Sequence, residues 1–291
     1  DAGRGVVITS SRSFSVPKPN IQARRETATC LLCGNPIKGV DPETGRHYTD
    51  TKNLPRQIRN RVIWYVKHAL RRFNEGDESL AKPRLLVKVR IRRRDLEFIP
   101  CTGEDAQKLW KAREKVERLL KDEDPDIPIE QTEPYCSSTY HTIVWGIDKF
   151  YKLFNSHQLL TLVKLVKLIR EAGKRIEKEK LKEGLSEEEA FRYAEAVTTY
   201  LTIALARFAD YNCFVTMVDA SNPWGIKIAH ALSVRGIAMQ WNWGDTNPLI
   251  SSMRISGILQ DTSSINRALE NVANSLSYLV SAVHNISPSL H

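Results

Sequence analysis

Residues 155–212 read NSHQLLTLVKLVKLIREAGKRIEKEKLKEGLSEEEAFRYAEAVTTYLTIALARFADYN, and the spacing of their apolar side chains decides the fold. Leu159, Leu162, Val163, Val166 and Ile169 recur every three or four residues, and so do Tyr193, Ala194, Val197, Leu201, Ala204, Leu205 and Phe208. That period collects each set on one face of an α-helix. Asn155 with Gln158, and Ser186 with Glu189, have capping-box spacing: the first side chain takes an orphan amide and the third reaches back. Two long packed helices are expected, with further helices over 104–120 and 265–283.

Toward the N-terminus the pattern changes sign. Ile58, Val62, Tyr65, Val66, Ala69 and Phe73 fall within about 100° of a helical wheel, while Lys52, Arg56, Arg59, Lys67 and Arg71 gather on another side. Leu85, Val87, Val89 and Ile91 then alternate with Lys88, Arg90 and Arg92, a period of two. Arg93-Arg94-Asp95 reads as the turn into 96–99, so a β-hairpin with a basic outer face is expected. Earlier still, 6–9 reads as one short strand and the Ser/Pro-rich stretch to Pro19 as loop. The fold class is therefore α+β and predominantly helical: a small β-rich, zinc-ribbon-like and hairpin region followed by a long-helix bundle.

Charge divides the chain further. Of 43 Lys and Arg against 34 Asp and Glu, residues 51–94 hold 14 basic and only 3 acidic side chains. Residues 121–134 carry six carboxylates and three prolines, read as an extended acidic linker because proline blocks helix and like charges repel. The expected organisation is a zinc-ribbon-like segment over 1–50, a basic helix and hairpin plus helix over 51–121, the linker over 122–139, and a helical domain over 140–291. The chain is 42% hydrophobic and 26% charged, and no run approaches the ~18 apolar residues of a membrane span. Five cysteines, an odd number, argue against a secreted disulfide framework and for a reducing cytoplasm. The opening Asp1-Ala2-Gly3-Arg4-Gly5 has neither an initiator Met nor the apolar core of a signal peptide, as expected of a trimmed product or a fragment.

Three stretches carry candidate chemistry. Cys30-Leu31-Leu32-Cys33-Gly34 presents two thiols three positions apart followed by a turn glycine, which is half of a zinc knuckle. No second C-x-x-C exists, and Cys101, Cys136 and His47 are the remaining donors considered. The pair reads as part of a zinc site completed elsewhere, a reduced thiol pair, or a disulfide. The basic elements, with Arg56, Arg59, Lys67, Arg71, Lys88, Arg90 and Arg92 as the named contacts, suit phosphates, since clustered cations release counterions on binding nucleic acid. The alternative is a solvated face. Trp241-Asn242-Trp243-Gly244-Asp245-Thr246-Asn247-Pro248 mixes aromatics with amides. Trp241, Asn242, Trp243 and Asn247 are the candidate base contacts, against the alternative of a packed loop.

Methyl-transfer signatures are weak. Residues 215–224 hold an Asp, an Asn, one proline and a Trp, and a helix end and turn is the expected structure there. The only G-x-G is Gly3-Arg4-Gly5, with no strand before it.

Residues 28–34, then 145–172 from Trp145-Gly146 through Leu153-Phe154-Asn155-Ser156-His157-Gln158-Leu159-Leu160, then Leu205-Ala206-Arg207-Phe208-Ala209-Asp210-Tyr211-Asn212 continuing to Met239, Trp241, Asn247 and Pro248, resemble in order the prokaryotic adenine-specific DNA methylase family containing a zinc ribbon. Its glycine loop, upstream Cys pair and Asp-Pro-Pro-Tyr motif have no counterpart here, and Asn242 stands where an acid is expected. The resemblance implies a middle portion of such an enzyme, serving DNA binding or target recognition. Zinc is the cofactor considered for this chain. S-adenosylmethionine would belong to a complete enzyme, DNA is the expected partner, and either a second chain or flanking sequence would carry the donor site. Two rivals stand beside it: a complete but divergent methyltransferase, and an interaction module without a nucleic-acid role.

Overall fold

In a computed structural model of the chain, the structure describes residues 6–9, 12–15, 21–22, 27–30, 33–37, 62–80, 85, 87–92, 95–132, 146–219, 227–231, 243–249, 253–255, 258–260 and 264–286. The fold is α+β and predominantly helical. The chain divides into two compact units, one of residues 1–82 with 144–146 and one of 83–143 with 147–291.

The first unit begins with an antiparallel hairpin of β1 (Val6–Thr9) and β2 (Arg12–Ser15). The sequence reading had a single strand and loop here; Ser-rich stretches favour turns, which hid the second strand. A three-stranded antiparallel sheet follows, in the order β3 (Ile21–Gln22), β4 (Thr27–Thr29), β5 (Pro36–Ile37). Helix α1 (Val62–Asn74) lies against β4, and Ala69 of the helix and Ala28 of the strand are both buried. The first part of the expected basic helix, 51–61, lies outside the described residues. Gly146 returns the chain to α1 so closely that a Cβ there would sit 2.9 Å from the Cα of Arg71. Its φ of 79° adds a second reason for glycine.

The second unit opens on the basic hairpin, β6 (Val87–Arg92) and β7 (Asp95–Pro100), paired from Val87↔Pro100 to Arg92↔Asp95. Asp95, read as part of the turn, is thus the first paired residue of β7. Its apolar side is uncovered, with Val87, Val89 and Phe98 each more than half exposed. Helix α2 (Gly103–Lys121) starts at a capping box of Thr102 and Asp105.

The acidic stretch is not an extended linker through Thr132. Ile127 is buried in a cluster with Val116, Leu159 and Val163. Asp124 pairs with Lys167 and Asp126 with Arg170. Pro128, Glu130 and Thr132 exchange backbone hydrogen bonds with Tyr151, Phe150 and Asp148. Repulsion among the carboxylates is offset by cations some forty residues on, which a local reading of charge does not weigh. Residues 133–139 lie outside the described residues.

After a 3₁₀ turn (Phe150–Leu153), α3 (Ser156–Lys182) and α4 (Glu187–Asp210) form the expected helical pair, each with the capping box named above. Helix α5 (Ile265–Ile286) packs on them, with Leu162, Ala204, Phe208, Ile265 and Ala268 at the centre. Phe154 touches both this cluster and the one around Ile127. The helix end and turn expected at 215–224 is corrected in part. Helix α4 stops at Asp210, and Met217–Asp219 is a strand, β8, paired with β9 (Lys227–Ala229). Val218 is a β-branched residue in β8, and its preference for extended backbone outweighs the continuing helical period. A last hairpin joins β10 (Met253–Ile255) to β11 (Ile258–Gln260).

Candidate functional site: an amide-anchored loop and two basic elements

The N-terminus of α3, the C-terminus of α4 and the loop 243–249 meet in the second unit. Gln158 is the hub. Its Oε1 accepts the Asn155 amide at 2.9 Å, completing the cap, while its Nε2 donates to Asn212 Oδ1 at 3.3 Å and to the Gly244 carbonyl at 3.0 Å. Asn212 Oδ1 also accepts the Thr246 amide at 2.9 Å, and Thr216 Oγ accepts the Gly244 amide while donating to the Cys213 carbonyl. Asn155, Gln158, Asn212 and Thr216 are all buried. Buried amides left without partners cost free energy, so a connected set of this kind holds one loop conformation.

Asp245 is gripped from the same helix end. Asn155 Nδ2 donates to its Oδ2 at 3.1 Å, and His157 Nδ1 lies 3.3 Å from the same oxygen. The hydrogen bond to Asp245 raises the His157 pKa above 6.5 against the opposing effect of burial, with the Asp245 charge and the Lys108 backbone adding to the rise. A second pair, His230 and Asp210 at 3.0 Å, flanks Tyr211, whose ring lies 5.5 Å from the imidazole and 5.5 Å from the Arg207 guanidinium.

Of the candidate base contacts, Trp243 and Asn247 lie on this loop. Trp243 is half-buried and meets Phe214 edge-on at 4.8 Å between centroids. Asn247 is exposed and closes a local turn by accepting the Leu249 amide. Trp241 and Asn242 lie outside the described residues. Gly244 packs so tightly on Ile228 that a Cβ would approach its Cδ1 to 2.6 Å. His157, Gln158, Asp210, Asn212, Thr216, His230 and Asp245 were not among the residues expected to form a site. Gln158 stands in the sequence as a cap and in the stretch that carries the resemblance, and so do Asp210 and Asn212 at the end of a helical period, but none of them is marked there as a site residue.

The basic candidates fall in both units. Lys67 and Arg71 are on α1, where Arg71 is half-buried; Lys88, Arg90 and Arg92 are on β6. Arg56 and Arg59 lie outside the described residues. Two of the hairpin cations are already engaged. Lys88 bonds Asp105 at 2.7 Å, and Arg90 stands opposite Glu97 at 3.9 Å. The Lys88 bond, followed by those from Thr102, holds the Asp105 carboxyl well below its ordinary range.

Cys30 and Cys33 occupy the turn between β4 and β5, which closes through Gly34 N–H to the Cys30 carbonyl and Cys30 N–H to the Asn35 carbonyl. Gly34 has φ 71°, the conformation a knuckle requires. Cys30 is half-buried and Cys33 exposed, and among the described residues no group of three His, Cys, Asp or Glu gathers around them. The turn therefore fits half of a tetrahedral zinc site. His47 and Cys136 lie outside the described residues. Burial pushes the Cys213 thiol up, and burial with the Asp105 charge does the same at Cys101, so neither is an activated nucleophile. Among the described residues no helix is long and apolar enough to cross a membrane.

No family model, curated protein or solved structure matches the chain.

Proposed function

We propose that this chain is the DNA-binding, target-recognising portion of an S-adenosylmethionine-dependent, adenine-specific DNA methyltransferase acting in the cytoplasm. The observation that carries the reading is the convergence of two distant segments of the resemblance, 155–160 and 205–212, on one buried amide network that leads into its continuation at 247–248. That network fixes a loop bearing Trp243, Asp245 and Asn247. A rigid mix of aromatic and polar groups is what an enzyme needs in order to hold a base taken out of its stack. The basic element on β6, in the same unit as the loop, would contact phosphates, and α1 in the other unit offers a separate phosphate-binding element. Zinc on Cys30 and Cys33, completed by donors beyond the turn, would stabilise the knuckle between β4 and β5.

A labelled duplex carrying one adenine opposite an abasic site, compared with the fully paired duplex, tests this. An adenine that is cheaper to extrude binds more tightly to the intact chain, and Asn247→Ala erodes that preference. Equal affinity for both duplexes contradicts it. One observation favours a protein partner as well: Tyr278, Leu279, Val280 and Val283 of α5 are all more than half exposed. A second chain carrying the donor site is the partner that would suit this face, unless flanking sequence supplies that site.

A further inference from the structure

Helix α3 carries a basic stripe that the near-neutral composition of the C-terminal half conceals. At 100° per residue, Lys164, Lys167, Lys174, Arg175, Lys178 and Lys182 fall within an arc of about 100°. Every one of them is exposed, and Glu171 is the only carboxylate inside the arc. The buried side chains Gln158, Leu159, Leu162 and Val163 lie away from it. From Lys164 to Lys182 the stripe runs about 27 Å at 1.5 Å per residue. Among the described residues, Lys164, Lys174, Arg175, Lys178 and Lys182 have no carboxylate within ion-pair distance.

A second observation shows that this side of the helix accepts anions. Asp124 sits on Lys167, and Asp126 sits on Arg170 beside the arc. The Lys167 ammonium and the Asp126 amide hold the Asp124 carboxyl below its ordinary range. Two carboxylates of the chain itself thus engage one end of a cationic track whose remaining length is open.

We infer that the α3 stripe is a binding track for the phosphate backbone of duplex DNA, with Asp124 and Asp126 capping its root end. This rests on the DNA-binding reading above and adds a surface to it. The polyanion is a duplex for three reasons. The stripe runs along one unbroken helix for about 27 Å, a length comparable to most of one duplex turn. Its arc holds no aromatic side chain, whereas single-strand sites combine cations with stacking rings. An interfacial membrane helix must bury its apolar face in lipid, and the apolar side chains of α3 from Leu159 to Leu165 are already committed to the protein core, with Leu168 and Leu181 the large apolar side chains left exposed beyond them. Unpaired cations give up only counterions and solvation on binding phosphate, so they contribute more fully to the salt dependence than Lys88 or Arg90.

The test uses the full chain with a labelled 30-base-pair duplex at 50–200 mM salt. Lys174→Gln, Arg175→Gln, Lys178→Gln and Lys182→Gln are combined in one variant. Lys111→Gln with Lys115→Gln on α2 is the control, and circular dichroism checks helix content in each. If all four cations contact phosphate, the slope of log K against log salt becomes less steep by about three to four in the stripe variant, at about 0.9 per contact. Affinity at 100 mM salt drops more than tenfold, and the control is unchanged. A stripe variant that keeps its helix content and the parental slope overturns the track while leaving the recognition loop standing. Wild-type chain that fails to bind the duplex at all removes both readings. Binding to phosphatidylserine vesicles that the duplex does not displace overturns the track in favour of a membrane surface.

Discussion

Gln158 and Asn212, 54 residues apart in the chain, meet through a 3.3 Å hydrogen bond with both side chains buried. Neither residue is merely a helix-end feature. Gln158 caps α3 and Asn212 follows α4, and both hold the backbone of the 244–246 loop.

Replacing Gln158 with Ala leaves the Asn155 amide, the Gly244 carbonyl and part of the Asn212 acceptor without partners. The expected loss is about 2–3 kcal/mol, combining a lost cap with unsatisfied buried groups. Urea unfolding measures it. The equivalent cap on α4, Glu189, is exposed, and its replacement with Ala is expected to cost less. Equal losses for the two variants would mean that the buried network adds nothing beyond capping.

The His157 and Asp245 pair makes the loop pH-dependent. The folded pKa of His157 lies above its ordinary 6.5, so its stabilisation is fully present below the unfolded value and is lost as pH rises through the raised one. The loop is accordingly held more firmly at pH 6 than at pH 8. Hydrogen exchange at the Thr246 amide, corrected for the intrinsic pH dependence of exchange, should accelerate over that interval in the parent chain. In His157→Gln it should stay nearly level. An identical pH response in both proteins would show that His157 does not couple to the loop.

Gly146→Ala places a Cβ 2.9 Å from the Cα of Arg71 and 3.1 Å from the Cβ of Asn74, at a φ of 79°. Gly184→Ala meets the same kind of φ, 96°, in open space. The first substitution should lower stability by more than about 1 kcal/mol and the second by less, because only the first adds a backbone clash to the strain. Thermal unfolding of the two variants side by side reads the difference.

The two helix starts defined by side-chain chemistry were legible in the sequence. Asn155 and Ser186 are followed three residues later by Gln158 and Glu189, and the apolar period between them has no competing explanation. The hairpin at 87–100 was legible from its period of two, although Asp95 belongs to the strand. Docking of the acidic stretch was not legible, because Lys167 and Arg170 lie far along the chain and reversed the local argument from repulsion. The amide network was hidden for the same reason. Its bonds join Gln158 to Gly244 and Asn155 to Asp245 across 86 and 90 residues, and no local period encodes such pairings.

Metal content separates the readings of Cys30 and Cys33. With half of the ligand set in the described turn, zinc held by those thiols should be removable by a chelator and lost in Cys30→Ser. If zinc stays tightly bound at one ion per chain when Cys101 and Cys136 are both replaced, yet is lost with Cys30, the site is complete within the chain. His47→Ala is then the next variant.

The donor site gives a further check. Of the described glycines with positive φ, Gly34 lies in the knuckle, Gly76 follows α1, Gly146 abuts α1 and Gly184 joins α3 to α4. None of these opens a helix after a strand; Gly103 does so after β7, but no second glycine follows it before Gly146, so the multi-glycine turn that admits a nucleotide-bearing ligand close to the backbone is not formed there. Calorimetric titration with S-adenosylmethionine should give no heat of binding. Micromolar affinity would promote a complete, divergent methyltransferase to the first reading.

Whether the chain binds DNA as proposed is decided by equilibrium anisotropy with an adenine-containing duplex across 50–200 mM salt. If about five or more phosphates are engaged, log K falls linearly with log salt at a slope of roughly −4 to −5 or steeper. Reversing Arg56 and Arg59 to Glu weakens binding more than neutralising Lys88, which Asp105 already holds. No binding at 50 mM salt, or a slope near zero, would contradict the account.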